Sequence, residues 1–197
     1  MQFIFRIITI MILAASLTGC GYNTIQRRDE QVAASWSQVL SLYKKRQDLV
    51  PNLVAIVQGY ARHEKEVFTG VAEARASVGS MQVSAESFND EQAVKTFMER
   101  QQALGGALSR LLVVAENYPQ LKADAGFLDL QRQLKGVEDQ LNAARGRFIR
   151  EVRDYNIVIR SFPTNLTAMM FGYKTKPNFA LDDEKAAATV PAINFAK

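Results

Sequence analysis

Apolar residues recur at alternating intervals of three and four along most of the chain, and this spacing predicts amphipathic helices that pack on one another. Pro and Gly are sparse between Thr24 and Ala76, and no strand-like alternation lasts more than a few residues. The pattern therefore predicts an all-α fold. We call each row of positions that recur at these intervals a seam. The first seam comprises Val32, Trp36, Val39, Tyr43, Arg46, Val50, Leu53, Val57, Tyr60, Glu64, Val67, Val71, Ala74 and Val78.

Two further seams follow a segment at residues 79–89 that contains three Ser and begins with Gly79. Asp90 and its neighbours supply a helix N-cap and an acidic first turn, and Pro119 suits the first turn of the third helical segment. Phe162-Pro163 ends the regular pattern. The second seam is Val94, Phe97, Gln101, Leu104, Leu108, Leu111, Ala115 and Tyr118, and the third is Phe127, Leu130, Leu134, Val137, Leu141, Ala144, Phe148, Val152, Tyr155 and Ile159.

The first seam is long enough to raise the question of a break at Pro51. An unbroken helix over residues 24–78 would be ~80 Å long at 1.5 Å per residue, and the second helix could cover only about half of it. A break with Asp48 as N-cap gives helices at about 24–47, 49–78, 90–118 and 120–159, which form an elongated antiparallel four-helix bundle. The unbroken phase across Pro51 favours the alternative, a three-helix bundle whose long first helix is kinked at Pro51.

The N-terminus reads as a bacterial lipoprotein signal. Arg6 gives a weakly basic start, residues 7–15 form a largely apolar run, and Leu17-Thr18-Gly19 precedes Cys20, the only cysteine in the chain. The arrangement resembles a lipobox, in which the cysteine sulfur is acylated and the chain is cleaved before it. We therefore predict a signal peptide at residues 1–19, a helical bundle at 20–173 and an extended tail at 174–197.

Two other readings of the same segment are an uncleaved transmembrane anchor and a free buried thiol. The apolar run is shorter than the usual ~20 residues of a membrane span, and packing does not explain a thiol at this position. A lipidated Cys20 predicts attachment to a membrane on its periplasmic side. Gly21 follows the cysteine where Asp commonly marks inner-membrane retention, so the sequence favours the outer membrane.

The charge of the chain does not indicate nucleic-acid binding. Loss of residues 1–19 would lower the net charge only from +4 to +3, because Arg6 is the only charged residue there. Arg147, Arg150 and Arg153 form a short basic run, but Glu151 and Asp154 lie four residues after the first two and predict ordinary surface ion pairs.

The mature chain carries a recognisable set of short motifs. The most specific is the string Arg46-x-Asp48-Leu49-Val50-Pro51-Asn52-Leu53-Val54. The others are Tyr22-Asn23, Trp36-Ser37, Gly59-Tyr60-Ala61-x-His63-Glu64, Glu73-Ala74-Arg75-Ala76, Tyr118-Pro119-x-Leu121-Lys122-Ala123, Phe127, Glu138, Ala144-Arg145, Tyr155-Asn156, Phe162-Pro163 and Pro191-x-Ile193-x-Phe195. Together these motifs resemble the LemA family over nearly the whole mature chain. Phe148-Ile149 departs from the Tyr-Asn that the family usually carries soon after the Ala-Arg pair.

The resemblance implies a membrane-attached, extracytoplasmic helical bundle whose biochemical activity is not established. His63, the only histidine, lacks the second histidine four residues later that a zincin helix requires, so we interpret it as a structural or surface residue. The sequence predicts no catalytic residue, no metal site and no cofactor.

Polar residues at seam positions are the candidate functional residues of the bundle. Arg46, Glu64 and Gln101 lie within the seams, and Arg75, Glu138 and Arg145 lie one position off them. Interhelical hydrogen bonds that fix the register of the helices are one interpretation of this polar seam, and a binding or catalytic cleft is the other.

Three classes of function remain open from the sequence. A non-enzymatic, lipid-anchored scaffold or adaptor that recruits another envelope protein is the leading hypothesis, and a homo-oligomer is compatible with it. A bundle that holds a lipid or peptide between helices is the alternative, and an enzyme is the third class. The tail motif Pro191, Ile193 and Phe195 could dock on the bundle or on a partner.

Overall fold

The computed structural model describes residues 2–81, 84 and 87–178, with the side chains of residues 3–5 and 7–20 outside that description. Within these residues the protein is all-helical and contains no strand, which confirms the predicted fold class. Short 3₁₀ turns at Ser87–Asn89 and Ala115–Asn117 accompany the α-helices. These are α1 (Gln2–Tyr60), α2 (Lys65–Gly79), α3 (Glu91–Val114), α4 (Pro119–Lys122), α5 (Ala125–Arg160) and α6 (Thr164–Phe171).

Helix α1 runs through Pro51 without a break, so the predicted end of the first helix at residue 47 is wrong. Proline removes one backbone hydrogen bond and crowds the preceding turn, which costs ~3 kcal/mol. Val50, Leu53 and Val57 are at most 1% exposed around it. At ~1.5–3 kcal/mol for each fully buried side chain, their burial outweighs that cost. The alternative is correct that the first helix runs through Pro51 but wrong that it extends to residue 78, whereas its kink and both bundle arrangements stay predictions.

The first helix instead ends at Tyr60, and a turn over residues 61–64 leads into α2. Ala61 in this turn is fully buried, while His63 is exposed. The Tyr60 hydroxyl donates a hydrogen bond of 2.9 Å to Asp124, next to the start of α5. This hydrogen bond joins the end of α1 to the residue that precedes α5.

The starts of the later helices follow capping rules. Asp90 caps α3, as predicted, by accepting hydrogen bonds from the backbone of Gln92 and Ala93 at 2.9 and 3.1 Å. Pro119 begins α4, also as predicted. The predicted helix at 120–159 is divided, however, because α4 ends at Lys122 and Asp124 accepts a 2.8 Å bond from Phe127 N–H at the start of α5.

The chain divides into two compact units. Unit 2 comprises residues 33–148 and carries a core in which α1, α2, α3, α4 and α5 all bury side chains. In this unit the ring centroid of Trp36 lies 5.8 Å from that of Phe97 and 5.3 Å from that of Phe148. The main cluster of unit 2 contains Val50, Leu53, Val57, Ala61, Val71, Val78, Leu104, Ala107, Leu108, Leu111, Val114, Ala115, Leu121, Phe127 and Leu130.

Unit 1 comprises residues 1–32 and 149–197, of which the structure describes the backbone from residue 2 to 32 and from 149 to 178. Its buried residues come from α1, α5 and α6 and include Ile25, Val152, Tyr155, Ile159 and Ala168. The three-four seams thus predicted most of the buried positions from the sequence, but not Ile25 or Ala168 of unit 1. Tyr60 is the apolar seam residue that is clearly exposed, because it lies at the end of α1.

Candidate functional site

Arg46 is the centre of a polar cluster inside unit 2. Arg46 is only 7% exposed. Its Nη2 donates hydrogen bonds to the side-chain and backbone oxygens of Gln101 at 2.6 and 2.9 Å. Its Nη1 contacts Glu138 Oε2 at 3.3 Å. The guanidinium lies 5.1 Å from the ring centroid of Tyr43. One side chain of α1 therefore contacts α3 and α5 at the same level of the core.

The partners of Arg46 differ in their exposure to water. Gln101 is 2% exposed, whereas the side chain of Glu138 is 49% exposed. A Cβ at Gly105 would lie 3.8 Å from Arg46 Nη1, which is ordinary contact, so this glycine lies against the cluster. Arg46 Nε has no hydrogen-bond partner among the described residues. The amide of Gln101 therefore depends on Arg46, whereas water can solvate Glu138 in its place.

A second polar contact lies at the turn between α1 and α2. The Tyr118 hydroxyl donates a 3.2 Å hydrogen bond to the half-buried Glu64. Partial burial and the adjacent Glu64 carboxylate raise the pKa of Tyr118. Nearby, the backbone N–H of Phe127 and the Tyr60 hydroxyl lower the pKa of Asp124. Both contacts hold hydroxyl groups in place, and the lowered pKa of Asp124 makes its carboxylate a weaker base.

Arg75 and Arg145 are the remaining predicted polar residues. Arg75 is exposed on α2, and its backbone oxygen accepts a hydrogen bond from Gln47 Nε2 at 3.4 Å. Arg145 is half-buried on α5. The structure thus brings together Arg46, Gln101 and Glu138, gives Glu64 a separate tyrosine partner, and leaves Arg75 on the surface.

The basic run on α5 is paired differently from the sequence expectation. Arg147 Nη1 donates to Gln38 at 2.6 Å, and Arg153 contacts the adjacent Asp154 at 2.9 Å. Glu151 lies 3.8 Å from Arg28 of α1 rather than pairing within α5. The arginines of the run are exposed, as expected for a solvated helix face.

Unit 1 contains a polar clamp that sequence reasoning missed. The side-chain amide of Asn156 donates to the backbone oxygen of Lys176 and accepts from its backbone N–H, both at 2.9 Å. Lys176 Nζ lies 2.6 Å from Asp29 and 4.8 Å from the ring centroid of Tyr155. Burial, followed by the nearby Asp29 charge, raises the pKa of Tyr155 to about 12. The first residues of the tail are therefore held against α5.

We expect Asn156→Ala to loosen this clamp. Two hydrogen bonds are lost, each contributing ~1 kcal/mol, so local opening of the segment should become roughly 30-fold more frequent. Hydrogen exchange at the Lys176 amide measures this directly. Asn142→Ala is the matched control, because Asn142 is an exposed asparagine of the same helix. Equal exchange at Lys176 in both variants would contradict the clamp.

Two predicted sites lie outside the described residues. They are the side chain of Cys20 and the tail motif Pro191, Ile193 and Phe195. Within the described part of the chain, no helix is long and apolar enough to cross a membrane. The described Cys, His, Asp and Glu residues also form no group of three that could hold a metal ion.

The sequence of this chain is similar to those of known proteins. The sequence model of the LemA family matches residues 35–195. Magnetosome protein MamQ of Magnetospirillum gryphiswaldense is 26% identical over 204 residues, which cover 94% of this chain and 74% of the relative. Magnetosome protein MamQ 2 of Paramagnetospirillum magneticum is 26% identical over 188 residues, which cover 87% of this chain and 68% of the relative.

Proposed function

Because the chain belongs to the LemA family, we propose that it is a lipid-anchored helical scaffold or adaptor of the cell envelope, without catalytic activity of its own. In this proposal Cys20 carries the acyl chains, the helices lie on the periplasmic side, and the outer membrane is favoured over the inner. The helices present a surface to another envelope protein. The partner is a protein and not a nucleic acid.

The observation that carries the proposal is the set of contacts that Arg46 makes inside the core. Its guanidinium donates to Gln101 and pairs with Glu138, so the charged group inside the core is engaged by neighbouring helices. Polar groups at core positions fix which residues lie opposite one another. A scaffold needs such a fixed register, because its surface must keep one shape for a partner.

The alternative function, a bundle that holds a lipid or peptide between its helices, would use the same cluster differently. Arg46 would have to turn its donors from Gln101 and Glu138 toward the ligand. That change would leave the amide of Gln101, which is 2% exposed, without its partner. The contacts of Arg46 therefore support the scaffold more than the ligand-binding bundle.

The names of the relatives are compatible with this proposal. Both assign their proteins to the magnetosome, and neither name states an enzymatic activity. We carry over to this chain only the general idea of a protein component of a larger cellular structure.

Site-specific photocrosslinking in intact cells tests the proposal. A photoreactive amino acid at Val113 or Leu128 would place the probe on an exposed apolar side chain of unit 2. We expect one of these positions to form a covalent adduct with a single envelope protein, identified by mass spectrometry and captured again in the reciprocal direction. Gln102, an exposed polar position of α3, is the control. Adducts with lipid alone, or none at either position, would contradict the scaffold.

The tail gives a separate prediction, through deletion of residues 190–197. If Ile193 and Phe195 dock on the helices, the deletion should lower the melting temperature and raise amide exchange on one helix face. If they bind the partner, stability should stay unchanged and the crosslink in cells should be lost. We expect self-docking. A deletion that changes neither stability nor crosslinking would remove any role for the tail motif.

A further inference from the structure

The surface of unit 1 carries a run of exposed apolar side chains on and just before α6. Phe162 is 80% exposed, Met169 79% and Met170 71%, with Leu166 also more than half exposed. We call these four residues the α6 face. Scattered single apolar residues on a surface need no explanation, but a contiguous apolar face of this kind marks a site of interaction.

The opposite side of α6 packs next to the first residues after Cys20. Thr167 and Ala168 are each 4% exposed. A Cβ added at Gly21 would lie 3.0 Å from Thr167 Oγ1, so α6 closely approaches α1 at that position. The ring centroids of Tyr22 and Phe171 are 5.0 Å apart. Helix α6 therefore lies beside Gly21, the residue that follows the cysteine expected to carry the acyl chains.

The charge around the α6 face suits an anionic surface. No acidic residue occurs from Tyr155 to Asn178, while Arg160 and Lys174 are both exposed. Lys176 is neutralised by Asp29, at 2.6 Å. An apolar face whose own segment carries exposed cations and no carboxylate has the composition of segments that lie in the headgroup region of anionic bilayers.

We propose that the α6 face inserts into the headgroup region of an anionic phospholipid bilayer, beside an acylated Cys20. This inference rests on the proposed lipid anchor. The anchor brings α6 to the bilayer, and α6 then adds a second contact that restricts how unit 1 lies on the membrane. A lipid surface fits better than a protein because the apolar face, the flanking cations and the anchor point all belong to one end of unit 1.

The test uses the full chain isolated from membranes with a new thiol at Met170→Cys. If Cys20 is acylated, the new thiol is the only reactive one and can carry an environment-sensitive fluorophore. The protein is reconstituted in vesicles of phosphatidylethanolamine and phosphatidylglycerol, with or without lipids spin-labelled near the headgroup. Val113→Cys is the control, because Val113 is an exposed apolar residue of unit 2.

We expect the fluorophore at position 170 to emit at shorter wavelength in vesicles and to lose most of its emission to the spin-labelled lipids. The fluorophore at position 113 should show neither change. Emission at position 170 that the spin-labelled lipids do not quench would overturn the proposal. If that unquenched emission is shifted to shorter wavelength, the α6 face is covered by protein, such as the tail or a second copy, and not by lipid.

Failure of the anchor and failure of the α6 face can be told apart. Thiol labelling of the unaltered protein reports on Cys20, and labelling there would count against the anchor alone. In that event the full chain carrying both Cys20→Ser and Met170→Cys repeats the vesicle measurement. Quenching at position 170 would then support the α6 contact, and its absence would overturn it.

Discussion

Cys20→Ser is expected to leave the precursor uncleaved and without acyl chains. A serine oxygen does not replace the thiolate that accepts the diacylglycerol, and lipobox cleavage follows that modification. Each acyl CH₂ buried in a bilayer contributes ~0.8 kcal/mol, and a single chain gives only reversible attachment, so stable anchoring needs the whole modification. Incorporation of labelled palmitate, together with electrophoretic mobility, measures both effects.

Leu17→Lys is the matched test of the recognition segment, because it keeps the thiol and alters the residues before it. We expect the same unprocessed, unlabelled precursor. Ser37→Ala, an exposed position farther along α1, should be processed normally. Normal processing of Leu17→Lys, or palmitate incorporation into Cys20→Ser, would contradict the lipobox.

Arg46→Met is expected to destabilise unit 2 by about 2 kcal/mol, because it leaves the buried amide of Gln101 unpaired. Methionine fills much of the volume of the arginine stem, so the loss is mainly polar. The value lies below the ~3–5 kcal/mol expected when a fully buried ion pair is broken, because Glu138 is half exposed and stays solvated. A fall in melting temperature of roughly 4–8 °C should follow for a protein of this size.

A double-mutant cycle with Gln101→Leu identifies the cause of that loss. Once both polar partners are replaced by apolar ones, no amide is left unpaired, and most of the lost stability should return in Arg46→Met/Gln101→Leu. Lys44→Met, at an exposed cation of the same helix, should change the melting temperature very little. Additive losses in the double variant would show that Arg46 and Gln101 do not act as a pair.

The sequence was sufficient to predict the helical fold, the buried seams and the cap of α3. These features depend on the local spacing of apolar residues and on one capping side chain, so they are visible over a few turns. The polar seam also placed two charged residues, Arg46 and Glu64, in phase with the apolar positions; Arg46 is buried, whereas Glu64 is half-buried at the turn after α1. Gln101, the partner of Arg46, was recognisable for the same reason on the second seam.

The continuity of α1 could not be predicted in the same way. Local rules give Pro51 a cost of ~3 kcal/mol, but the outcome depends on the burial of Val50, Leu53 and Val57 by distant parts of the chain. The clamp between Asn156 and Lys176 was hidden for a related reason. Its hydrogen bonds join a helix position to the backbone of a segment 20 residues later, and the Tyr155-Asn156 motif does not indicate that partner.

The intact mass of the protein isolated from membranes tests the central claim, membrane attachment through Cys20, most directly. The lipid-anchored scaffold predicts a chain that begins at Cys20, lacks residues 1–19 and carries the added mass of a diacylglycerol and an amide-linked acyl chain. A mass that retains Met1, or one that corresponds to an unmodified thiol at Cys20, would contradict it.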